Sequence, residues 1–238
     1  HLTNHPEEKG FDTTDDMTDV GGYDMITNEN IVLDDDGGFR ISLDNQPANG
    51  RLNHIQMPAE KVLYLLVRDT LSNWQQTPNQ LSIRRVGGDA LPQPQTKQEL
   101  IARTAGHLEQ FVAFWLRFND HFHKPAANVL GPAYPRNGGL GYASAGRFSL
   151  NDDEILLITI SDGDADYVGM QITNPWMIGP SPKAYLSSYN MAQTLANADG
   201  SLTYLIAHSD PGYGNWVDTA GLKDCLLYTS PSPRDGTS

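Results

Sequence analysis

One run of apolar residues at helical spacing, set between segments that alternate with a period of two, constrains this chain more than any other feature. Ile101, Ala105, Leu108, Phe111 or Val112, Trp115, Phe118 and Phe122 recur every three or four positions. That spacing predicts one amphipathic helix over about 97–122. Thr96 and Glu99 have the spacing of a capping box. Pro92 and Pro94 precede it, and Lys124-Pro125 ends it, since proline interrupts the helical ladder. The aromatic stripe is expected to contact the core. A loop rich in glycine and proline follows to Ala145.

Strand patterns lie on both sides. Residues 1–30 are polar and read as loop or weakly paired strand. Ile31–Leu33 and Phe39–Leu43 flank an acidic, glycine-containing turn, a hairpin pattern. Residues 61–69 (KVLYLLVRD) are apolar on both faces and predict a buried strand, although periodicity alone does not separate this from a helix fragment. Residues 80–86 set Leu81 and Ile83 against Ser82 and Arg84, as a half-buried strand does. After the helix, 155–160 (ILLITI) is short and β-branched. Val168, Met170 and Ile172 alternate with Tyr167, Gly169 and Gln171, and 185–193 is ambiguous. Leu202, Tyr204, Ile206 and His208 share one face of a further strand. The expected fold is therefore mainly β with one long α-helix, a β-sandwich or jelly-roll-like domain.

Charge and residue usage narrow the function classes. The 238 residues carry a formal net charge of -13. An acidic chain repels phosphate backbones and anionic bilayers, which argues against nucleic-acid and membrane-surface partners. No apolar run has the length of a membrane span. The only cysteine is Cys225. Upstream of it, disulfides, zinc-thiolate sites and a cysteine nucleophile are excluded. No cofactor motif is present. Compartment is not fixed by these residues, and the expectation leans to the cytoplasm.

Residues 225–238 read CLLYTSPSPRDGTS. This stretch resembles the translation of a sequencing-library adapter, and such segments are excluded from fold reasoning. We therefore expect a natural chain cut near Asp224 and, because it opens on His1, cut at its start as well. The expected organisation is an upstream β segment over 1–95, helix and loop over 96–138, a β domain over 139–224 that is continuous with the upstream part, and a non-native tail over 225–238.

Four blocks within 139–224 carry a family resemblance. IAHSDPGYGNWVDTAG (206–221) resembles the signature of the domain of unknown function (DUF) 1214 family. In order before it, GRFSLNDDEILLIT (146–159), YVGMQITNPW (167–176) and SYNMAQTLANADGSLTYLIAH (188–208) resemble further blocks of that family. Gly214 stands where members often have proline, and the tail stands where members continue toward a final strand. The resemblance implies a β-rich, sandwich-like domain with no established reaction, often placed beside a second domain.

Within these blocks, His208, Asp210, Asn215, Trp216 and Asp218 fall in one turn-rich segment after a strand, a usual place for ligand contacts. His208 would be an acid or base oriented by Asp210 or Asp218, and Trp216 would stack a ring. The same residues also suit a structural role. Asp210-Pro211-Gly212 is a turn formula, Asp218 suits a cap, and Trp216 suits a core. Asn174, Trp176, Asn190 and Gln193 form a second set, amides with an aromatic that suit a saccharide or equally a loop backbone. Asp162, Asp164 and Asp166 fail the calcium-loop pattern, with Tyr167 and Thr173 where it needs glycine and glutamate. His121 and His123 diverge at a helix end and suit the helix dipole better than a metal, so no metal site is expected.

Three functions follow as expectations. The first is a module binding a small polar or aromatic-bearing ligand, such as a glycan, through Trp176, Asn190, Gln193, Asn215 and Trp216. The second is a hydrolase-type enzyme using His208 with Asp210 or Asp218. The third is a structural or assembly domain that packs on a sister domain or forms a homo-oligomer.

Overall fold

In the computed structural model, the described residues are 2–4, 22–59, 63–71, 75–88, 93–123, 126–135, 141–161, 165 and 167–232. They hold fourteen strands and one helix, α1 (Lys97–His123), so the protein is mainly β with one long helix, as expected. The chain divides into two units, His1–Leu116 and Arg117–Ser238, and the division falls inside α1.

The capping box forms as read. The Glu99 carboxylate accepts from the Thr96 amide at 2.7 Å, and the Glu99 amide donates to the Thr96 hydroxyl at 3.3 Å. These bonds satisfy donors that a helix start leaves open. The stripe behaves differently from expectation. Ile101, Leu108, Phe111 and Val112 are exposed, while Trp115 and Phe118 are partly buried. Phe111 and Phe114 each meet Trp115 edge-on.

In the upstream unit, β1 (Leu2–Asn4) lies between β2 (Gly22–Asp24) and β5 (Leu63–Leu65). The hairpin expected over 31–43 does not form. Its turn closes, with the Asp34 amide donating to the Gly38 carbonyl, but β3 (Ser42–Asp44) pairs in parallel with β4 (His54–Gln56) instead. The buried strand expected over 61–69 is also corrected. Among its described residues only Leu63–Leu65 is strand, and Leu66 and Val67 are exposed. Residues 80–86 form no strand, and Ile83 is 85% exposed. Alternation makes a segment ready for a sheet, but a neighbouring strand must supply the hydrogen bonds.

The second unit is a two-sheet sandwich. Its larger sheet has the order β11-β10-β14-β8-β6, from β6 (Val129–Leu130), β8 (Tyr142–Ser149), β10 (Tyr167–Thr173), β11 (Ser188–Asn190) and β14 (Asp224–Ser232). β7 (Tyr134–Pro135) also pairs with β8. The smaller sheet, β13-β12-β9, contains β9 (Leu156–Ile160), β12 (Leu202–Ala207) and β13 (Trp216–Asp218). Val168, Met170 and Ile172 from β10 meet Leu202, Tyr204 and Ile206 from β12 in one core, with Phe148, Ile158, Val217 and Leu227. The period-two faces read from sequence are the buried ones.

The ordered fold continues past Asp224 into the segment read as a non-native tail, because β14 is the middle strand of the larger sheet. Asp224–Thr229 pairs antiparallel with β8, and Leu226–Ser232 pairs with β10. Cys225, Leu226, Leu227 and Thr229 are buried. This corrects where residues 225–232 lie, not where they came from. A ladder is made by backbone groups, so any segment with a suitable alternation fills the slot.

Candidate functional site

The signature segment is built around a parallel pair. β12 and β13 run side by side with Leu205 opposite Trp216 and Ala207 opposite Asp218, so the chain must turn back on itself between Ala207 and Trp216. Asp210 makes the first bend, its carboxylate accepting from the Gly212 amide at 2.8 Å. Asn215 makes the last, in the left-handed region at φ 56°, which asparagine tolerates better than most residues. Its side chain then replaces a strand neighbour. Nδ2 donates to the carbonyls of Leu195 (2.7 Å) and Thr203 (2.9 Å), and Oδ1 accepts from the Leu195 amide (2.7 Å). Asn215 is buried, with its amide group fully used.

His208 is partly buried, and both ring nitrogens are engaged. Nε2 lies 3.2 Å from the Leu150 carbonyl and Nδ1 lies 2.7 Å from the Thr219 hydroxyl. A carbonyl only accepts, so we assign the proton to Nε2, and Nδ1 accepts from Thr219. The expected orienting carboxylates are occupied elsewhere. Asp210 holds Gly212, and Asp218 accepts from the Ala220 amide at 2.8 Å. The structure therefore does not bring His208 to either aspartate; its partner is Thr219, fully buried, which sequence reading missed. The only signal was its place in the same signature block, eleven residues on.

Trp216 is half-buried, its indole donating to the Ala207 carbonyl at 3.1 Å. Its own carbonyl accepts from the Tyr189 hydroxyl at 2.8 Å. Burial pushes the Tyr189 phenol up, with the nearby Asp210 charge adding to it. Tyr189 meets Tyr204 at 6.0 Å between ring centres. Asn190 and Gln193 hold each other across a turn, the Asn190 amide donating to Gln193 Oε1 at 3.2 Å and the Gln193 amide to Asn190 Oδ1 at 3.0 Å. Trp176 stands apart in the loop after β10, 44% exposed. There Asn174 Oδ1 accepts from the amides of Trp176 and Ile178.

His208, Asn215, Trp216 and Asp218 thus each spend their polar groups on other partners within the fold, and Asn190 and Gln193 bond each other. What the segment leaves outside is apolar. Val217, Tyr204 and Ile158 point inward and are buried, so Trp216, Leu205 and Leu157 share the outer face of the smaller sheet. The register puts Leu205 opposite both Leu157 and Trp216, and Leu157 is 62% exposed. Among the described residues, no group of three His, Cys, Asp or Glu is placed to hold a metal ion, and no helix is long and apolar enough to cross a membrane. Asp162, Asp164 and Asp166, and the side chains of His121 and His123, lie outside the described residues.

No family model matches this chain, and no curated protein matches it. Among solved structures it is similar to an uncharacterized protein from Burkholderia cenocepacia, with a TM-score of 0.72 at 26% identity over 87% of this chain. The match covers 59% of the Burkholderia chain, so the present chain spans about three fifths of that length.

Proposed function

We propose that the second unit is an assembly domain that packs against further polypeptide of the same protein, through the outer face of its smaller sheet. The observation that carries this reading is the contrast within one segment. His208, Asn215, Asn190 and Gln193 direct their polar groups into the fold, while Leu157, Leu205 and Trp216 line up on the outside. An apolar row on an exposed sheet face marks an interaction surface more often than a catalytic one. The greater length of the Burkholderia neighbour supplies the kind of partner, and the resemblance to DUF 1214 proteins, which often carry a second domain, agrees with it. Hydrolysis through His208 needs its hydroxyl partner open to a substrate, and Thr219 is fully buried.

Superposition on the Burkholderia crystal structure tests this directly. We expect the polypeptide outside the shared part to cover the positions equivalent to Leu157, Leu205 and Trp216. If those positions stand in solvent there, the assembly reading is wrong. A module for a small polar or aromatic ligand is a second reading, supported by the exposed ring of Trp176. A thermal-shift screen with sugars and aromatic acids separates the two, since a ligand bound only by the folded form raises the melting temperature. A Trp176-dependent rise would favour the module.

A further inference from the structure

The upstream unit holds a separate cluster of reactive groups, independent of the assembly surface. β3 and β4 place Ser42 directly opposite His54. Ser42 Oγ lies 2.9 Å from His54 Nδ1. His54 Nε2 lies 2.8 Å from the Gln46 carbonyl and 3.5 Å from Asp44 Oδ1. The carbonyl only accepts, so the proton belongs on Nε2, and Nδ1 offers its lone pair to the serine hydroxyl. Arg51 also approaches Nε2, at 3.1 Å. It has other acceptors, though: the Asp44 carboxylate and the carbonyls of Gln46, Pro47 and Ala48. The imidazole does not need to serve as one.

The surroundings hold that ring in place. The Arg51 guanidinium, and after it the Gln46 amide, hold the Asp44 carboxyl at about 2, so Asp44 and Arg51 form a fixed ion pair beside Nε2. The His54 side chain is only 1% exposed, whereas Ser42 is partly open to solvent. A partly exposed serine, a base within hydrogen-bond reach, and a third group orienting the base is the arrangement of an activated nucleophile.

We propose that Ser42 is a nucleophile activated by His54, in a hydrolytic site for small activated carboxylic esters. In the first half-reaction, Ser42 Oγ forms a bond to the ester carbonyl carbon and its proton passes to His54 Nδ1. The carbon–oxygen bond to the leaving alcohol breaks, and the alcohol takes that proton. In the second, water gives its proton to Nδ1 and attacks the acyl-serine. The acid is released and the serine hydroxyl restored.

A fluorophosphonate probe on the whole chain tests this, because it forms an Oγ–P bond with loss of fluoride only at an activated serine. Peptide mapping should find the adduct on Ser42. His54→Gln should slow labelling at least ~100-fold while circular dichroism stays unchanged. Should that variant fail to fold, Ser42→Ala decides, since it should remove the adduct altogether. No adduct on Ser42, or labelling that His54→Gln leaves unchanged in the folded chain, overturns the proposal.

Discussion

Cys225 reports directly on whether residues 225–232 lie inside the sheet. The thiol is 2% exposed in β14, between β8 and β10. Burial, with the neighbouring Asp224 charge adding to it, pushes its pKa from 9.0 to about 11. Thiolate is the reacting species. At pH 8, a thiol of pKa 9 is about one-tenth ionised and one of pKa 11 about one-thousandth, so charge alone slows the reaction by about a hundredfold. Steric closure multiplies that factor, because an aromatic disulfide reagent reaches the sulfur only when the middle of the sheet opens. The assay follows 5,5′-dithiobis(2-nitrobenzoate) absorbance at pH 8, with and without 6 M guanidinium. The expected native rate is at least ~100 times below the denatured one. A native rate within a few-fold of the denatured rate would refute the placement of β14, and would restore the reading in which the fold stops before Cys225.

Three other substitutions or conditions test particular contacts. A Cβ at Gly146 would overlap the Val129 carbonyl oxygen, so Gly146→Ala should push β6 away from β8 and lower stability by about 1–3 kcal/mol in urea unfolding; an unchanged midpoint would contradict that close approach. Asn215→Ala removes three hydrogen bonds to Leu195 and Thr203 and leaves alanine at a positive φ, a loss of about 3 kcal/mol readable by the same method. Asp44 has a depressed carboxyl, so its contribution is full above the ordinary value of 3.8 and disappears as pH falls through about 2. The protection factor of the Gln46 amide, which donates to that carboxylate, should therefore fall between about pH 4 and pH 2, and Arg51→Gln should move that change to higher pH.

What the sequence could reveal divides along the range of the forces involved. The helix and its cap were legible because both depend on residues within four positions of each other. Strands β9, β10 and β12 were legible because a half-buried strand writes its inward face into every second residue. The upstream unit was not, since its strands are three residues long, too short for any period. The parallel pairing of β3 with β4 depends on a loop closed by Arg51 rather than on a pattern. At the candidate site, the residue types were found but their partners were not. His208 looked for an aspartate two or ten residues away and found a threonine eleven away. The sequence shows that both are polar, but not which one the fold brings to 2.7 Å.

β14 shows the same limit from the other side. Its letters resemble a translated adapter, yet the segment meets what the slot demands. Cys225 and Leu227 join the core, and Leu226 and Thr229 are buried as well, in a stretch paired with β8 from Asp224 and with β10 from Leu226 onward. Pro231, which would interrupt a central strand by lacking an amide proton, falls beyond the last partner in β8, where only β10 remains alongside. A sheet tests a segment for alternation, bulk and amide protons, and for nothing else. Residues from an unrelated reading frame that satisfy those three conditions are held as firmly as inherited ones, so the fold of this unit and the origin of its last strand are separate questions.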